Sequence, residues 1–235
     1  MKKLFLFSIL AIGFSAVMPV KAQSEKDYLV RVALNGGWTV RTGEIPSSYP
    51  DYYQDYLTSV KQGWSWGADA MFNIDNLFTI GLFYDRFAKN VVKEYQFINN
   101  NISATLEINN TYTTEYIAMS LGFMELFGKH RFSLNYLIGF MDYQIKGTYS
   151  PFYSFSCDTQ YNSHYLSGHC LGHGIMVTYD YLLTHHIAIG AQCTYLIGKV
   201  EQLNNQRKYN SEIIHLDEPI VLNRISPKMG IRYYF

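Results

Sequence analysis

The chain has 235 residues with 19 basic and 19 acidic side chains, and only 16% of its residues are charged. So few charges exclude a disordered chain. The lack of a Lys/Arg excess excludes a protein that binds nucleic acid through its phosphates. Aromatic residues make up 17% of the chain, a composition typical of strands and membrane interfaces. We therefore expect a β-rich chain with a large apolar surface and no nucleic-acid partner.

The first 22 residues have the pattern of an export signal. Two lysines precede an apolar stretch over 4–18, and small residues follow up to Ala22. A basic start, an apolar stretch of this length and small residues before the cut are typical of a secretory signal peptide. We predict cleavage after Ala22, so that 1–22 is the signal peptide and 23–235 is one barrel domain.

Beyond the signal, apolar and polar side chains alternate with a period of two. Val32, Leu34 and Trp38 share one face of the first segment, whereas Arg31 and Asn35 share the other. Such alternation marks a strand that separates an apolar from a polar environment. The same pattern predicts eight strands, at 28–40, 63–74, 78–85, 112–124, 132–141, 166–181, 187–197 and 225–235.

The connections between these strands alternate between long and short. The long ones cover 42–62, 88–111, 144–165 and 200–219, and the short ones contain Asp75, Gly128 and Thr184. Bacterial outer-membrane barrels combine an even number of strands with short periplasmic turns and long outer loops. We therefore predict an all-β fold in the outer membrane: an eight-stranded antiparallel transmembrane up-and-down β-barrel with four long outer loops.

Two details complete this fold prediction. The first outer loop is expected to contain a short helix that ends at Lys61. A soluble β-sandwich is the alternative fold, but its connections seldom alternate in length so regularly.

The eight strands and the terminal sequence Ile231-Arg232-Tyr233-Tyr234-Phe235 resemble the small OmpX/OmpA-type outer-membrane barrels. The resemblance extends over nearly the whole exported chain and carries no catalytic motif. In that family, a lipid-facing C-terminal aromatic residue is part of the signal read by the barrel assembly machinery. The resemblance therefore implies that Tyr233 and Phe235 form this signal, and that the machinery is a partner during biogenesis. Outer-membrane lipid and lipopolysaccharide are the other partners that it implies.

The inward faces of the predicted strands carry polar and charged side chains. The interior of an eight-stranded barrel is just wide enough for side chains to fill, and buried charges persist only when they are paired. We predict a polar network in the lumen, formed by Arg31, Asn35, Asp69, Asp85, Asn135, Gln192, Lys228 and Arg232. A narrow or gated pore is the alternative.

Histidine and cysteine do not form a recognisable metal or cofactor motif, and we expect neither group. His169 and His173 share a face of one strand, but residues four apart on a strand are separated by about 13 Å. That distance is too great for one zinc ion. Cys157 and Cys170 are placed where they could meet in a disulfide, and Cys193 faces lipid.

The expected function is that of a non-enzymatic outer-membrane barrel with a structural or surface-interaction role. Its outer loops would contact envelope components, host surfaces or a partner in transport. A narrow channel, or a carrier for a small molecule that could be apolar, is the first alternative. The second is a lipid A-modifying enzyme, because such barrels use Ser and His near the lipid face. Residues of these types lie near the outer end of the predicted barrel at Ser163, His164, Ser167 and His169, and Glu201 could lie nearby.

Overall fold

The computed structural model describes residues 30–43, 51–74, 77–99, 102–153, 162–207 and 210–235. The predicted signal peptide, 1–22, lies outside these residues, as do Cys157 and the first short turn at Asp75. The division of the chain into a signal and a barrel domain therefore stays a prediction.

The described residues form ten strands and one helix, in the order β, α and then nine strands. They are β1 (Val30–Arg41), α1 (Asp51–Val60), β2 (Gln62–Ile74), β3 (Phe78–Asn99), β4 (Ile102–Phe127), β5 (His130–Tyr153), β6 (Asn162–Leu182), β7 (Ile187–Ile197), β8 (Lys199–Arg207), β9 (Asn210–Val221) and β10 (Arg224–Tyr234). Within the described ranges, no helix is long and apolar enough to cross a membrane.

Eight of these strands close into a barrel. The antiparallel order is β5-β4-β3-β2-β1-β10-β7-β6, and a further pairing of β5 with β6 joins the two ends. The first and last strands meet in this wall, with Val32 opposite Tyr233 and Val40 opposite Ile225. The predicted eight-stranded antiparallel barrel is confirmed.

The other two strands, β8 and β9, form a hairpin that extends the wall outward. β7 runs into β8 through Gly198 alone, and Leu222 and Asn223 separate β9 from β10. A main-chain hydrogen bond joins these two junctions, with Leu222 N donating to Gly198 O at 2.9 Å. Asn223 Oδ1 also accepts a hydrogen bond from Gly198 N at 3.2 Å. The hairpin is therefore anchored at its base to the barrel proper.

The outer connections differ from the sequence prediction. Most of 88–111, 144–165 and 200–219, predicted as loops, consists of paired strands. β3 and β4 pair as far as Asn99 and Ile102, β5 and β6 as far as Tyr149 and Asn162, and β8 and β9 as far as Arg207 and Asn210. Three of the four predicted loops are thus β-hairpins that rise above the barrel.

The fourth connection carries the predicted short helix. α1 ends at Val60, next to the predicted end at Lys61. Arg41 N donates to Lys61 O at 2.8 Å, which joins the end of β1 to the start of β2 below the helix. α1 packs against β2 and β3, beside the tall part of the wall.

Short turns occupy the opposite end, as predicted. Gly128 adopts a φ of +58°, a conformation that glycine reaches without steric cost. At the turn between β6 and β7, the Thr184 hydroxyl accepts a hydrogen bond from Ile187 N at 3.0 Å. These tight connections leave little chain at the periplasmic end.

The outward face of the barrel is an apolar belt. Leu34, Trp64, Leu82, Ile117 and Phe140 are each 60% or more exposed. Large exposed apolar areas are uncommon on water-soluble monomers. A continuous belt of them around a closed barrel is the lipid-facing surface of a transmembrane β-barrel.

Aromatic rings lie at both ends of the belt. Near the tall end, Trp38 and Trp64 meet edge to face with their ring centroids 5.8 Å apart, and Trp66 packs on Tyr84. Near the short turns, similar pairs join Phe78 to Phe123, Phe132 to Tyr179 and Tyr233 to Phe235. Amphipathic rings settle at the headgroup level of membranes, so the two groups mark its two interfaces.

A row of polar side chains marks the outer boundary of the belt. Arg86, Glu115, Asp142 and His169 are direct cross-strand neighbours on β3, β4, β5 and β6. We call this row of four residues the outer rim. The tall hairpins stand on its aqueous side.

Candidate functional site

The periplasmic half of the lumen contains an ionic network centred on Asp180. Its carboxylate lies 3.2 Å from Arg31 Nη1 and 2.8 Å from Arg232 Nε. Tyr234 OH donates a hydrogen bond to the same carboxylate at 2.6 Å. Arg31 also reaches Asp69 at 2.6 Å. One carboxylate on β6 thus joins β1 and β10, the strands that close the barrel.

A second ionic group lies around Asp85 on β3. Arg224 Nη2 approaches its carboxylate at 2.6 Å, and Lys228 forms an ion pair with its other oxygen. The side chains of all three residues are at most 1% exposed. Because an unpaired buried charge is strongly destabilising, each of these groups depends on its partners.

Neutral side chains complete the polar lining. Asn35 Nδ2 donates to Asp69 Oδ2 at 3.2 Å, and Asn135 Oδ1 accepts from Thr79 Oγ1 at 2.7 Å. Thr39 Oγ1 lies within hydrogen-bonding distance of Ser65 Oγ, at 2.6 Å, and of Ser226 Oγ, at 2.7 Å. These bonds join neighbouring strands, or β3 to β5, along the inner face of the wall.

All eight residues predicted for the lumen are buried. Seven of them make ion pairs or hydrogen bonds with other lumen residues. The eighth, Gln192, is 3% exposed, and its amide makes no hydrogen bond with a described residue. Sequence reasoning missed Arg131, Asp180, Arg224 and Tyr234, although each occupies the inward register of its strand.

Cations outnumber carboxylates in this lumen. Among the described residues, the buried charged side chains comprise five cations and three carboxylates. One of the cations, Arg131, lies over the ring of Tyr234, with Cζ 3.9 Å from the ring centroid. Such a contact contributes to the stability of a buried cation. The interior therefore carries a positive formal charge.

The lumen also contains an apolar cluster beside these polar groups. Phe83, Tyr116, Leu137, Met141 and Leu196 are all at most 2% exposed and belong to one apolar cluster. Tyr116 OH reaches across to the main-chain oxygen of Gly172 at 3.1 Å. Apolar side chains thus fill the middle of the lumen.

The apolar cluster continues above the rim and includes α1. Tyr56 and Val60 of the helix are 2% and 3% exposed and pack with the inward faces of the tall hairpins. Tyr56 OH is 2.6 Å from Tyr112 OH and accepts a hydrogen bond from Asn110 Nδ2 at 2.6 Å. The helix therefore closes the outer mouth of the barrel.

A cleft opens in the outer wall between β6 and β8. Pairing of β6 with β7 ends at His173 and Ile197, and pairing with β8 resumes only at Ser167 and Asn204. The cleft has a volume of about 420 Å³. It is lined by Ser167, Gly168, His169, Cys170, Lys199, Glu201, Gln202, Leu203, Asn204 and Ile213.

The remaining sequence candidates are spread over the barrel. His173 stacks on Tyr136, and Cys193 is an exposed free thiol. Cys170 is a half-buried free thiol, and the described residues contain no group of three potential metal ligands. The side chain of His164 lies outside the described part of the chain. The predicted pairing of Cys157 with Cys170 falls partly outside it as well.

The C-terminal aromatic residues face outward at the periplasmic end. Tyr233 is 42% exposed and Phe235 is 62% exposed. Phe235 N donates to Val30 O at 2.9 Å, which holds the last residue against the first strand. Both rings therefore lie on the lipid side of the closing seam.

The fold and the distribution of polarity define the class of protein. An even-stranded closed barrel with an apolar outer belt, short turns at one end and tall extensions at the other is the architecture of outer-membrane β-barrels. The chain is an outer-membrane β-barrel protein and is located in the outer membrane.

Comparison with known proteins adds structural likenesses at low sequence identity. No protein family and no curated protein matches the chain. It is similar to Ail, the attachment invasion locus protein of Yersinia pestis, in complex with the heparin analogue sucrose octasulfate. The TM-score is 0.44 at 11% identity, over 88% of this chain and 99% of that chain.

Two further solved structures are similar to the chain. A major outer membrane protein from Thermus thermophilus gives a TM-score of 0.49 at 9% identity, over 88% of this chain and 99% of that chain. OprG from Pseudomonas aeruginosa gives 0.47 at 10% identity, over 88% and 97%.

Proposed function

We propose that the protein is a non-enzymatic outer-membrane barrel that acts through its outer surface and not through its lumen. The observation that carries this proposal is the filled interior. Ion pairs around Asp180 near the short turns and around Asp85 near the outer rim share the interior with an apolar cluster, and α1 closes the outer mouth. An interior of eight strands has little room left once its side chains are packed.

The same observation counts against a channel or a carrier. A water path past Phe83, Tyr116 and Leu137 would have to displace side chains that are at most 2% exposed. A small apolar ligand in the lumen would have to displace the cluster itself. The tall hairpins, by contrast, place a large surface in water, where it can contact envelope components or a host surface.

The biogenesis expected from the sequence is part of this proposal. The signal peptide 1–22 would direct export, and the barrel assembly machinery would read the outward-facing Tyr233 and Phe235. Their exposed rings at the periplasmic end support that role. Outer-membrane lipid and lipopolysaccharide would surround the belt.

Conductance in planar lipid bilayers tests the sealed lumen. We expect no unitary conductance steps from the purified protein, because the described interior is packed along its length. A Tyr56→Gly/Val60→Gly variant, which loosens the helix at the mouth, should also stay closed, since the apolar middle and the ionic network lie below it. Regular conductance steps from the unmodified protein would contradict the proposal.

The outer cleft favours one second candidate, an enzyme that modifies lipid A. Ser167, His169 and Glu201 line the same cleft, beside the lipid belt. A nucleophile and its base need to lie about 2.6–3.2 Å apart. Within the described residues, no hydrogen bond joins these three side chains. If the candidate is right, deletion of the gene changes the mass of lipid A, and His169→Ala cannot restore the original mass.

A further inference from the structure

The wall cleft between β6 and β8 has the chemistry of a lipid headgroup site. We propose that it binds the phosphorylated sugar headgroup of an outer-leaflet glycolipid whose acyl chains lie along the belt below. This inference rests on the proposed placement of the barrel among outer-membrane lipids, and it assigns that contact to a defined site.

The cleft exists because the strand ladder is interrupted. Residues 168–172 of β6 face 198–203 without ladder pairing, and the register changes by one residue across the gap. Gly198 directs its main chain to Leu222 and Asn223 instead of to β6. The wall therefore opens over about 420 Å³ at the level of the rim.

The cleft is closed at its back, so it is a pocket in the wall and not an entrance to the lumen. A Cβ on Gly168 would lie 2.5 Å from Val200 Cγ1, and a Cβ on Gly198 would lie 3.0 Å from Met141 Sδ. Val200 and Met141 are fully buried in the apolar cluster. A ligand can therefore enter only from the outer surface or the lipid.

The side chains along the cleft change in the order in which a phosphorylated glycolipid changes. Leu171 and Ile197 lie lowest and belong to the belt. Lys199 comes next, since the pairing of His173 with Ile197 places it opposite Leu171. His169 and Glu201 lie about 7 Å farther along their strands, and Asn204 lies higher still, on the aqueous side. Acyl chain, phosphate and sugar hydroxyls follow the same order from the bilayer outward.

The polar side chains of the cleft are available for a ligand. Within the described part of the chain, the side chains of His169, Lys199 and Glu201 make no hydrogen bond or ion pair. The neighbouring carboxylate, Asp142, already accepts a hydrogen bond from Gln144 at 2.6 Å. Lys199 is therefore the free cation for a phosphate, while carboxylate and amide oxygens can accept hydrogen bonds from sugar hydroxyls.

Lys199→Glu tests this site, with Lys129→Glu as the matched control. Lys129 is an exposed lysine on the short turn at the opposite end of the barrel. Both variants replace a lysine by a glutamate, so they change the net charge equally. Native mass spectrometry in mild detergent would measure how much of a bisphosphorylated disaccharide lipid each variant retains. The same measurement would be made with that lipid lacking its phosphates, and again with the phosphorylated lipid in the presence of inorganic phosphate as a competitor. Heat-dependent gel migration would establish that each variant has folded.

We expect the unmodified protein and Lys129→Glu to prefer the phosphorylated lipid. Lys199→Glu should lower its binding about tenfold, the scale of one charge-assisted hydrogen bond, and abolish the preference. Equal retention by the two variants, or equal binding of the two lipids, would overturn the proposal. Full displacement by inorganic phosphate would assign the site to a soluble phosphate and overturn the lipid source. None of these results depends on the conductance that tests the sealed lumen.

Discussion

The outward faces of the membrane-spanning part of the barrel and of the part above the outer rim have opposite polarity. Below the rim, Leu34 and Phe140 face outward while Arg31, Asp69 and Asp180 lie inside. Above it, the inward faces carry an apolar cluster and the outward faces are mostly polar. The same strands pass from the lipid into water, so the outward side of a strand is apolar in the lipid and polar above it.

Removal of one buried carboxylate should have the largest effect, and it should act on the membrane part. In Asp180→Asn, the buried Arg31 and Arg232 lose a charged partner, which should cost roughly 3–5 kcal/mol of unfolding free energy. Urea unfolding of the protein refolded into lipid vesicles would measure it. The control is Asp142→Asn on the outer rim, which should cost less than about 1 kcal/mol. Similar losses in the two variants would show that the lumen is hydrated.

Two single substitutions to arginine, one on the outward face of each region, should differ clearly in their effect on stability. Leu34 and Ile213 are 65% and 64% exposed, one in the belt and one on the outer hairpin. Leu34→Arg should lower the unfolding free energy by about 2–4 kcal/mol, because it places a charge in lipid. Ile213→Arg should change it by less than about 0.5 kcal/mol, because its surroundings are aqueous. The same unfolding assay in vesicles would measure both, and equal costs would contradict the position of the rim.

The outer core can be weakened without disturbing the barrel. Tyr56→Phe removes the hydroxyl that Tyr112 and Asn110 share, and should cost about 1–3 kcal/mol in local stability of α1. Hydrogen exchange of the α1 amides should accelerate, while exchange in β1 stays unchanged. Thr58→Ala, at an exposed position of the same helix, is the control and should not accelerate exchange. Faster exchange in β1 as well would mean that the two regions unfold together.

The rim ion pair should have the smallest effect. Arg86 Nε and Glu115 Oε1 are 3.4 Å apart, and their side chains are 42% and 32% exposed. Glu115→Gln should change the unfolding free energy by no more than about 0.5 kcal/mol, and added salt should remove even that difference. A larger effect that persists in high salt would indicate that the pair is shielded from water and ions.

The reversal of polarity also explains which strands could be predicted. On β5, the apolar side chains from Phe132 to Phe140 occupy the outward register, whereas those of Met141, Tyr143 and Ile145 occupy the inward one. At that point the apolar side chains move from the outward to the inward register, so the alternation of apolar and polar residues is interrupted. The outer halves of the strands therefore looked like loops, although the eight membrane segments were predicted correctly.

The candidate sites divide in a similar way. Alternation predicted that Arg31 and Arg232 face inward, because register depends on local sequence. It could not predict that Asp180 lies between them, because the partners are 149 and 52 positions away and depend on the closed geometry. The cleft was harder still. Its gap arises from a one-residue change of register beside Gly198, which no local pattern indicates.

The ionic network that joins β1 and β10 through Asp180 also disfavours a wrong register between these two strands. A slip of one residue at this seam would exchange the faces of the strand, turning Arg31 and Asn35 into the bilayer and Val32 and Leu34 into the interior. Asp180 would then lose the guanidinium it holds from the far side of the barrel. A barrel closed in the wrong register is therefore destabilised twice, by charged side chains in the lipid and by unpaired charges in the lumen.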